Sequence, residues 1–181
     1  LEVKSYDVFI SYRREGGENL AGRIRERLVE RGFRVFLDVE TLRSGDFNSE
    51  LFEIIESTPN FVLVCTPHAL DRCIYENDWV RREIGHALKS NVKVIPVIAR
   101  GFEFPAKLPD DIDRVRYKSG PEQPPGYYDA FIERLCQFIE SSKSSKRRIY
   151  IILAVLIIVL ITTAIMVLNT FSQDKESSKL P

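Results

Sequence analysis

Cysteine and histidine are scarce in this sequence, three and two among 181 residues. Cys65, Cys73 and Cys136 form an odd, unpatterned set, which excludes a disulfide framework and lacks the paired spacing of a zinc site. With so few histidines no metal centre is expected, and free thiols fit a reducing compartment. No apolar run precedes Tyr6, so no secretory signal is expected near Leu1. Neither a G-x-G-x-x-G nor a Walker A string occurs, which removes the ordinary dinucleotide and nucleoside triphosphate cradles. An excess of charge of one sign is missing as well: 26 Lys+Arg balance 26 Asp+Glu. That balance averages unlike segments. Residues 1–142 hold 20 basic and 24 acidic side chains, and a mildly acidic head lacks the basic footprint of a nucleic-acid binder.

The remaining charge is arranged around a long apolar run. Lys143, Lys146, Arg147 and Arg148 precede Ile149–Phe171, which carries no charge and only Tyr150, Thr162, Thr163, Asn169 and Thr170 as polar residues. At ~1.5 Å per residue this run covers the ~30 Å hydrocarbon core of a bilayer. It lacks the polar stripe of a soluble core helix, so it is expected to span a membrane. Basic residues stay cytoplasmic, which places the head in the cytosol and residues 172–181 outside or in a lumen. The expected organisation is a domain over 1–142, a basic linker over 143–148, a transmembrane helix over 149–171 and a short tail.

Within the head, strands and helices alternate. Apolar strands are expected at Tyr6–Ser11, Arg34–Leu37, Phe61–Cys65 and Lys93–Ile98, with a short fifth at Val115–Tyr117. Amphipathic helices are expected at Leu20–Arg31, Phe47–Ser57, Trp79–Ser90 and Ala130–Ser141. Alternation with continuous apolar strands predicts an α/β, flavodoxin-like domain: a five-stranded parallel sheet with helices on both faces. Functional groups then gather at the carboxyl ends of the strands, in Ser11–Gly17, Asp38–Phe47, Thr66–Asp78 and Ala99–Pro105. Trp79 and Glu83, at i and i+4, share a helix face there. Pattern alone leaves Glu83 open to a solvated reading, paired with Arg82 or Lys89. Arg13 and Arg14 read equally as a solvated loop pair or as guanidinium partners for a pyrophosphate. Phe36 reads as core, Asp38 as a loop cap, His86 as a surface histidine, and Cys65 and Cys73 as packing residues.

Four strings carry a resemblance. Tyr6–Arg14 (YDVFISYRR) resembles the opening box of TIR (Toll/interleukin-1 receptor) domains. Gly32–Asp38 (GFRVFLD) with Gly45-Asp46-Phe47 is similar to their second strand and the BB loop that follows it. Phe61–Pro67 (FVLVCTP) resembles the third strand. Asp78–Ile84 (DWVRREI) resembles the segment that carries the catalytic glutamate of NAD-hydrolysing TIR domains. The spacing holds over roughly residues 5–140.

The resemblance implies that Glu83 is catalytic and that Tyr12, Arg13, Arg14, Phe36, Asp38, Phe47 and Trp79 line the substrate site. It implies NAD+ as substrate rather than cofactor, with cleavage to nicotinamide and ADP-ribose or its cyclic form. It also implies self-association, with a neighbour's BB loop completing each site, and contacts with other TIR proteins. The chemistry suits one carboxylate. Breaking the nicotinamide–ribose bond passes through an oxocarbenium-like state, and nicotinamide leaves neutral from a pyridinium, so the second carboxyl group of ordinary glycosidases is not needed. The competing reading is an adaptor that recruits TIR domains without chemistry. A pore built from the apolar helices ranks last, because Ile151–Ile161 has no polar face. In Toll-type receptors the membrane helix precedes the TIR domain, whereas here the apolar run follows it.

Overall fold

The computed structural model describes residues 6–37 and 47–139, together with Thr162. The chain divides into two units, Leu1–Ser142 and Lys143–Pro181, and of the second only Thr162 is described, helical and exposed. The expected transmembrane run 149–171 and the basic cluster before it therefore lie outside the described residues. Among the described residues no helix is long and apolar enough to cross a membrane.

The head alternates β1 (Val8–Tyr12), α1 (Arg14–Glu30), β2 (Val35–Leu37), α2 (Phe47–Ser57), β3 (Asn60–Cys65), α3 (Trp79–Lys89), β4 (Lys93–Ala99) and β5 (Glu122–Gln123). A last helix, α4, occupies residues 128–139. The five strands form one parallel sheet in the order β2-β1-β3-β4-β5. Side chains alternate across it. Val8, Ile10, Val62, Val64, Ile95 and Val97 pack with α1 and α4, whereas Phe9, Phe61, Leu63, Cys65 and Val94 pack with α2 and α3. β3 lies between β1 and β4 and is buried along its whole length, as its unbroken apolar run requires.

Two expectations need correction. Val115–Tyr117 is not a strand: it belongs to a 3-10 turn, Asp113–Tyr117, closed by a 2.7 Å pair between Arg116 and Asp113. The fifth strand is Glu122–Gln123, two polar residues that pair with Ile98 and Ala99. It is held there by close backbone approach, because a Cβ on Gly120 would lie 1.8 Å from the carbonyl oxygen of Pro96. Pro96 stands opposite Leu63 on a stretch of β4 that β5 does not cover, so its missing N–H interrupts no ladder there. The first helix also begins earlier than the apolar spacing indicates, at Arg14 rather than Leu20, with a break at Glu15 and Gly16.

The carboxyl end of β1 is clamped to α3. Period-two alternation turns Phe9, Ser11 and Arg13 toward the α2/α3 face. Arg13 donates to Asp78 through Nη1 (2.7 Å) and Nη2 (2.9 Å) and to the Ala69 carbonyl through Nε (3.1 Å). Asp78 is the N-cap of α3 and accepts the Arg81 N–H at 3.0 Å. Both side chains are buried, 9% and 3% exposed. Burial alone would raise the Asp78 carboxyl, but the Arg13 and Arg81 hydrogen bonds, with the guanidinium charge, hold it below its ordinary value. Burial and the charge of Asp78 push the neighbouring Cys73 thiol up to about 12, which keeps it protonated and inert.

Two outcomes follow from this packing. Gly120→Ala should force β5 away from β4 and lower stability by ~1–3 kcal/mol in thermal unfolding; an unchanged midpoint would contradict the close approach. Asp78→Asn leaves the Arg13 charge buried and unpaired, costing ~3–5 kcal/mol near neutral pH. The folded-state value of Asp78 lies below its unfolded one, so the pair stabilises fully above the ordinary value of 3.8 and its contribution is lost as pH falls through the lowered value. Denaturant titrations should therefore show the gap between variant and wild type closing in acid. A gap that stays constant down to about pH 2 would be inconsistent with this linkage.

Candidate active site

Helix α3 supplies the central group. Val80, Ile84, Ala87 and Leu88 form its buried stripe, and Glu83 falls within that stripe rather than outside it. Glu83 is 1% exposed, and its Oε2 accepts a 2.6 Å hydrogen bond from the hydroxyl of Ser11, itself fully buried at the end of β1. The solvated reading of Glu83, paired with Arg82 or Lys89, does not hold. Arg82 instead lies over the rings of Trp79 (4.3 Å) and of Phe52 on α2 (5.3 Å). Trp79, one turn before Glu83, is half-buried against the α2/α3 core.

The other expected residues separate into groups. Arg13 is taken up by Asp78, Ala69 and Cys73, so its guanidinium holds the edge together. Arg14 is exposed at the start of α1. Tyr12 points to the opposite face of the sheet from Glu83 and packs with the α1/α4 core. Phe36 belongs to the core: it stacks on Phe9 at 5.2 Å and meets the edge of Tyr6. Asp38, Gly45 and Asp46 lie outside the described residues, and Phe47 opens α2 with its side chain outside them too. His86 contacts Glu56 at 2.9 Å and stacks on Phe52, tying α3 to α2.

Two residues at this edge escaped the sequence reading. Ser11 breaks an apolar strand with a buried hydroxyl on the same face as Phe9, and only the period-two count, extended to its last residue, points to it. Asp78 directly precedes an amphipathic helix, which is the position an N-cap takes. Cys65 and Cys73 are buried, as packing residues are. Among the described residues no group of three His, Cys, Asp or Glu side chains could hold a metal ion. Clefts of 620 Å³ between β5 and α4, and of 550 Å³ beside Phe52, Lys89 and Arg114, are lined by neither Glu83 nor Ser11.

Chemically, the edge presents one carboxylate, fixed by a hydroxyl, in a dry setting with an indole one turn away. Such a carboxyl group, when ionised, stabilises positive charge developing close to it more strongly than a solvated one would.

Comparisons with known proteins place the chain in a family. The chain is 44% identical over 150 residues to the NAD(+) hydrolase sarm1 of Drosophila melanogaster, covering 80% of this chain and 11% of that protein. It is 39% identical over 142 residues to the NAD(+) hydrolase tir-1 of Caenorhabditis elegans, covering 75% of this chain and 14% of that one. The chain thus spans less than a sixth of the length of either relative. Among solved structures, the TIR domains of the activated Roq1 resistosome superpose with a TM-score of 0.56 at 22% identity, over 75% of this chain and 99% of theirs. The TIR domain of the Toll-related receptor TRR-2 from Hydra magnipapillata gives 0.55 at 18%, over 75% and 98%. These two show the shared fold. The TIR domain family model matches residues 8–136, from the first residue of β1 into α4. The chain belongs to the TIR domain family.

Proposed function

We propose that the head hydrolyses NAD+ at the nicotinamide–ribose bond, as a TIR glycohydrolase. The observation that carries this reading is Glu83, a carboxylate buried in the core-facing stripe of α3 and held by Ser11 at 2.6 Å. A buried anion weakens a fold unless it is compensated, so its place in an otherwise apolar stripe calls for a functional reason. The names of the two relatives, both NAD(+) hydrolases, support the substrate.

In this reaction the C1′–N bond breaks with its electron pair going to nicotinamide, which leaves neutral. Positive charge spreads over C1′ and the ring oxygen, and Glu83 stabilises it. Water then attacks C1′ and releases a proton, giving ADP-ribose; attack by the adenine instead gives the cyclic product. Ser11 is a positioning residue that fixes the carboxylate rotamer, and Trp79 supplies an apolar wall. The self-association of heads through Asp38–Phe47 belongs to the same proposal, as does anchoring through 149–171 with the head on the cytosolic side. The apolar length of that run and the four basic residues before it support the anchor. Confinement to a membrane plane raises the effective concentration of heads without any new contact.

Glu83→Gln keeps the shape and an acceptor for Ser11 while removing the charge. NAD+ loss, followed chromatographically with the full chain, should fall ~10²–10³-fold while the circular dichroism spectrum and unfolding midpoint are retained. Activity within about threefold of wild type would assign Glu83 a structural role, and an inactive wild type would favour the adaptor reading.

A further inference from the structure

Trp79 is the first residue of α3, directly after the Asp78 cap. Side chains on a helix lean toward its amino end and rest on residues three and four positions earlier. Trp79 has no helical turn before it, so its indole needs another support. Part of that support is the α2/α3 core, against which Trp79 is half-buried. The rest comes from one turn later in the same helix. Arg82, at i+3, leans back in the ordinary way, and its guanidinium carbon lies 4.3 Å from the centre of the indole.

That guanidinium serves rings rather than carboxylates. Arg81 beside it pairs with Asp111 at 3.1 Å, whereas Arg82 makes no ion pair or hydrogen bond among the described residues. Its second contact is another ring, that of Phe52 on α2, at 5.3 Å. Phe52 is itself held, because it stacks on His86 at 4.5 Å with the planes 26° apart, and His86 meets Glu56 of α2 at 2.9 Å. A row of flat groups thus runs from α2 across α3 to the indole. A cation is attracted to the face of each ring, and the planar guanidinium suits stacking between them. At ~100° per residue, Arg82 stands ~60° to one side of Trp79 around the helix and Glu83 ~40° to the other. The cation therefore supports the indole from the side away from the carboxyl group.

We infer that Arg82 is a positioning residue for the NAD+ reaction, acting through Trp79 by holding its indole in one orientation beside Glu83. This deepens the hydrolase reading and rests on it. The apolar wall keeps water from the carboxyl group only while the indole stays in place, and the charge stabilisation that Glu83 supplies is stronger in a drier setting.

Trp79 is the one tryptophan of the 181 residues, so the intrinsic fluorescence of the full chain reports this indole alone. In Arg82→Ala the fluorescence anisotropy should fall and the emission maximum should move, with the unfolding midpoint close to that of wild type. The kcat for NAD+ cleavage should fall about tenfold while KM stays within about threefold. Arg82→Lys, which keeps a cation over the rings, should restore most of the anisotropy and of kcat. Wild-type anisotropy in Arg82→Ala, or a kcat within about twofold of wild type, would overturn the positioning role. A higher kcat would overturn it too, since the guanidinium would then be opposing the positive charge of the reaction. A wild type that leaves NAD+ intact would overturn the hydrolase reading and this role with it, and an anisotropy change would then mark the contact as structural only.

Discussion

The bidentate pair between Arg13 and Asp78 joins the exit of the first strand to the cap of the helix that carries Glu83. It does not act alone, because Ser11 reaches Glu83 from the same strand. The two contacts are matched in length. Ser11 and Arg13 are two residues apart, ~6.6 Å along an extended chain. Glu83 and Asp78 are five apart, ~7.5 Å along a helix. The earlier residue of the strand meets the later residue of the helix, so the pairs also set α3 antiparallel to β1, as a β–α–β crossover requires. These two contacts, three hydrogen bonds in all, thereby fix both the position and the direction of the Glu83 carboxyl group.

Such an edge is unfavourable in isolation. Arg13, Asp78, Glu83, Ser11 and Thr66 are all buried at one end of the sheet, and each forgoes hydration for fixed partners, or in the case of Thr66 for none. The compensation lies below them. Phe9, Phe61, Leu63 and Ile84 are fully buried on the same face, and Ile10, Val62, Val64 and Ile24 on the other. In β1 and β3 the apolar part carries the stability, while the buried polar groups Ser11, Arg13 and Thr66 lie at the carboxyl end or directly after it.

How much of this was legible depended on which signal an element used. Strands buried on both faces and helices with an apolar stripe announce themselves, so β1, β3, β4 and α3 stand where hydrophobic patterning puts them. Glu83 was singled out by its resemblance alone, since pattern left it open to a solvated reading, and its burial within the stripe of Val80, Ile84 and Ala87 emerges only in the structure. β5 was not: Glu122 and Gln123 show no apolar pattern, and their pairing depends on Gly120 lying against Pro96, a contact between residues far apart in sequence. Val115–Tyr117 shows the reverse error, since Val115 is buried but an i, i+3 pair closes the segment into a turn. Arg13 illustrates a general limit. A guanidinium at a strand end suits a phosphate and a buried carboxylate equally well, and only the position of Asp78 decides between them.

The register of the sheet carries the last consequence. Ser11 and Arg13 face α3 only because Val8 pairs with Asn60, and a slip of one residue would turn both toward α1 and bring Tyr12 to Glu83. That register is pinned at the opposite end of the sheet. Asn60 donates through Nδ2 to the Asp7 carbonyl at 3.0 Å, while the Asp7 N–H donates to the Arg34 carbonyl at 2.8 Å and its carboxylate accepts the Arg34 N–H at 3.0 Å. Polar residues at the amino ends of β1, β2 and β3 thus index strands whose carboxyl ends hold Ser11, Arg13 and Thr66. Asp7 and Asn60 touch neither Glu83 nor Thr66, yet the geometry of both depends on them, because in a strand of period two the position of one residue determines the facing of all the others.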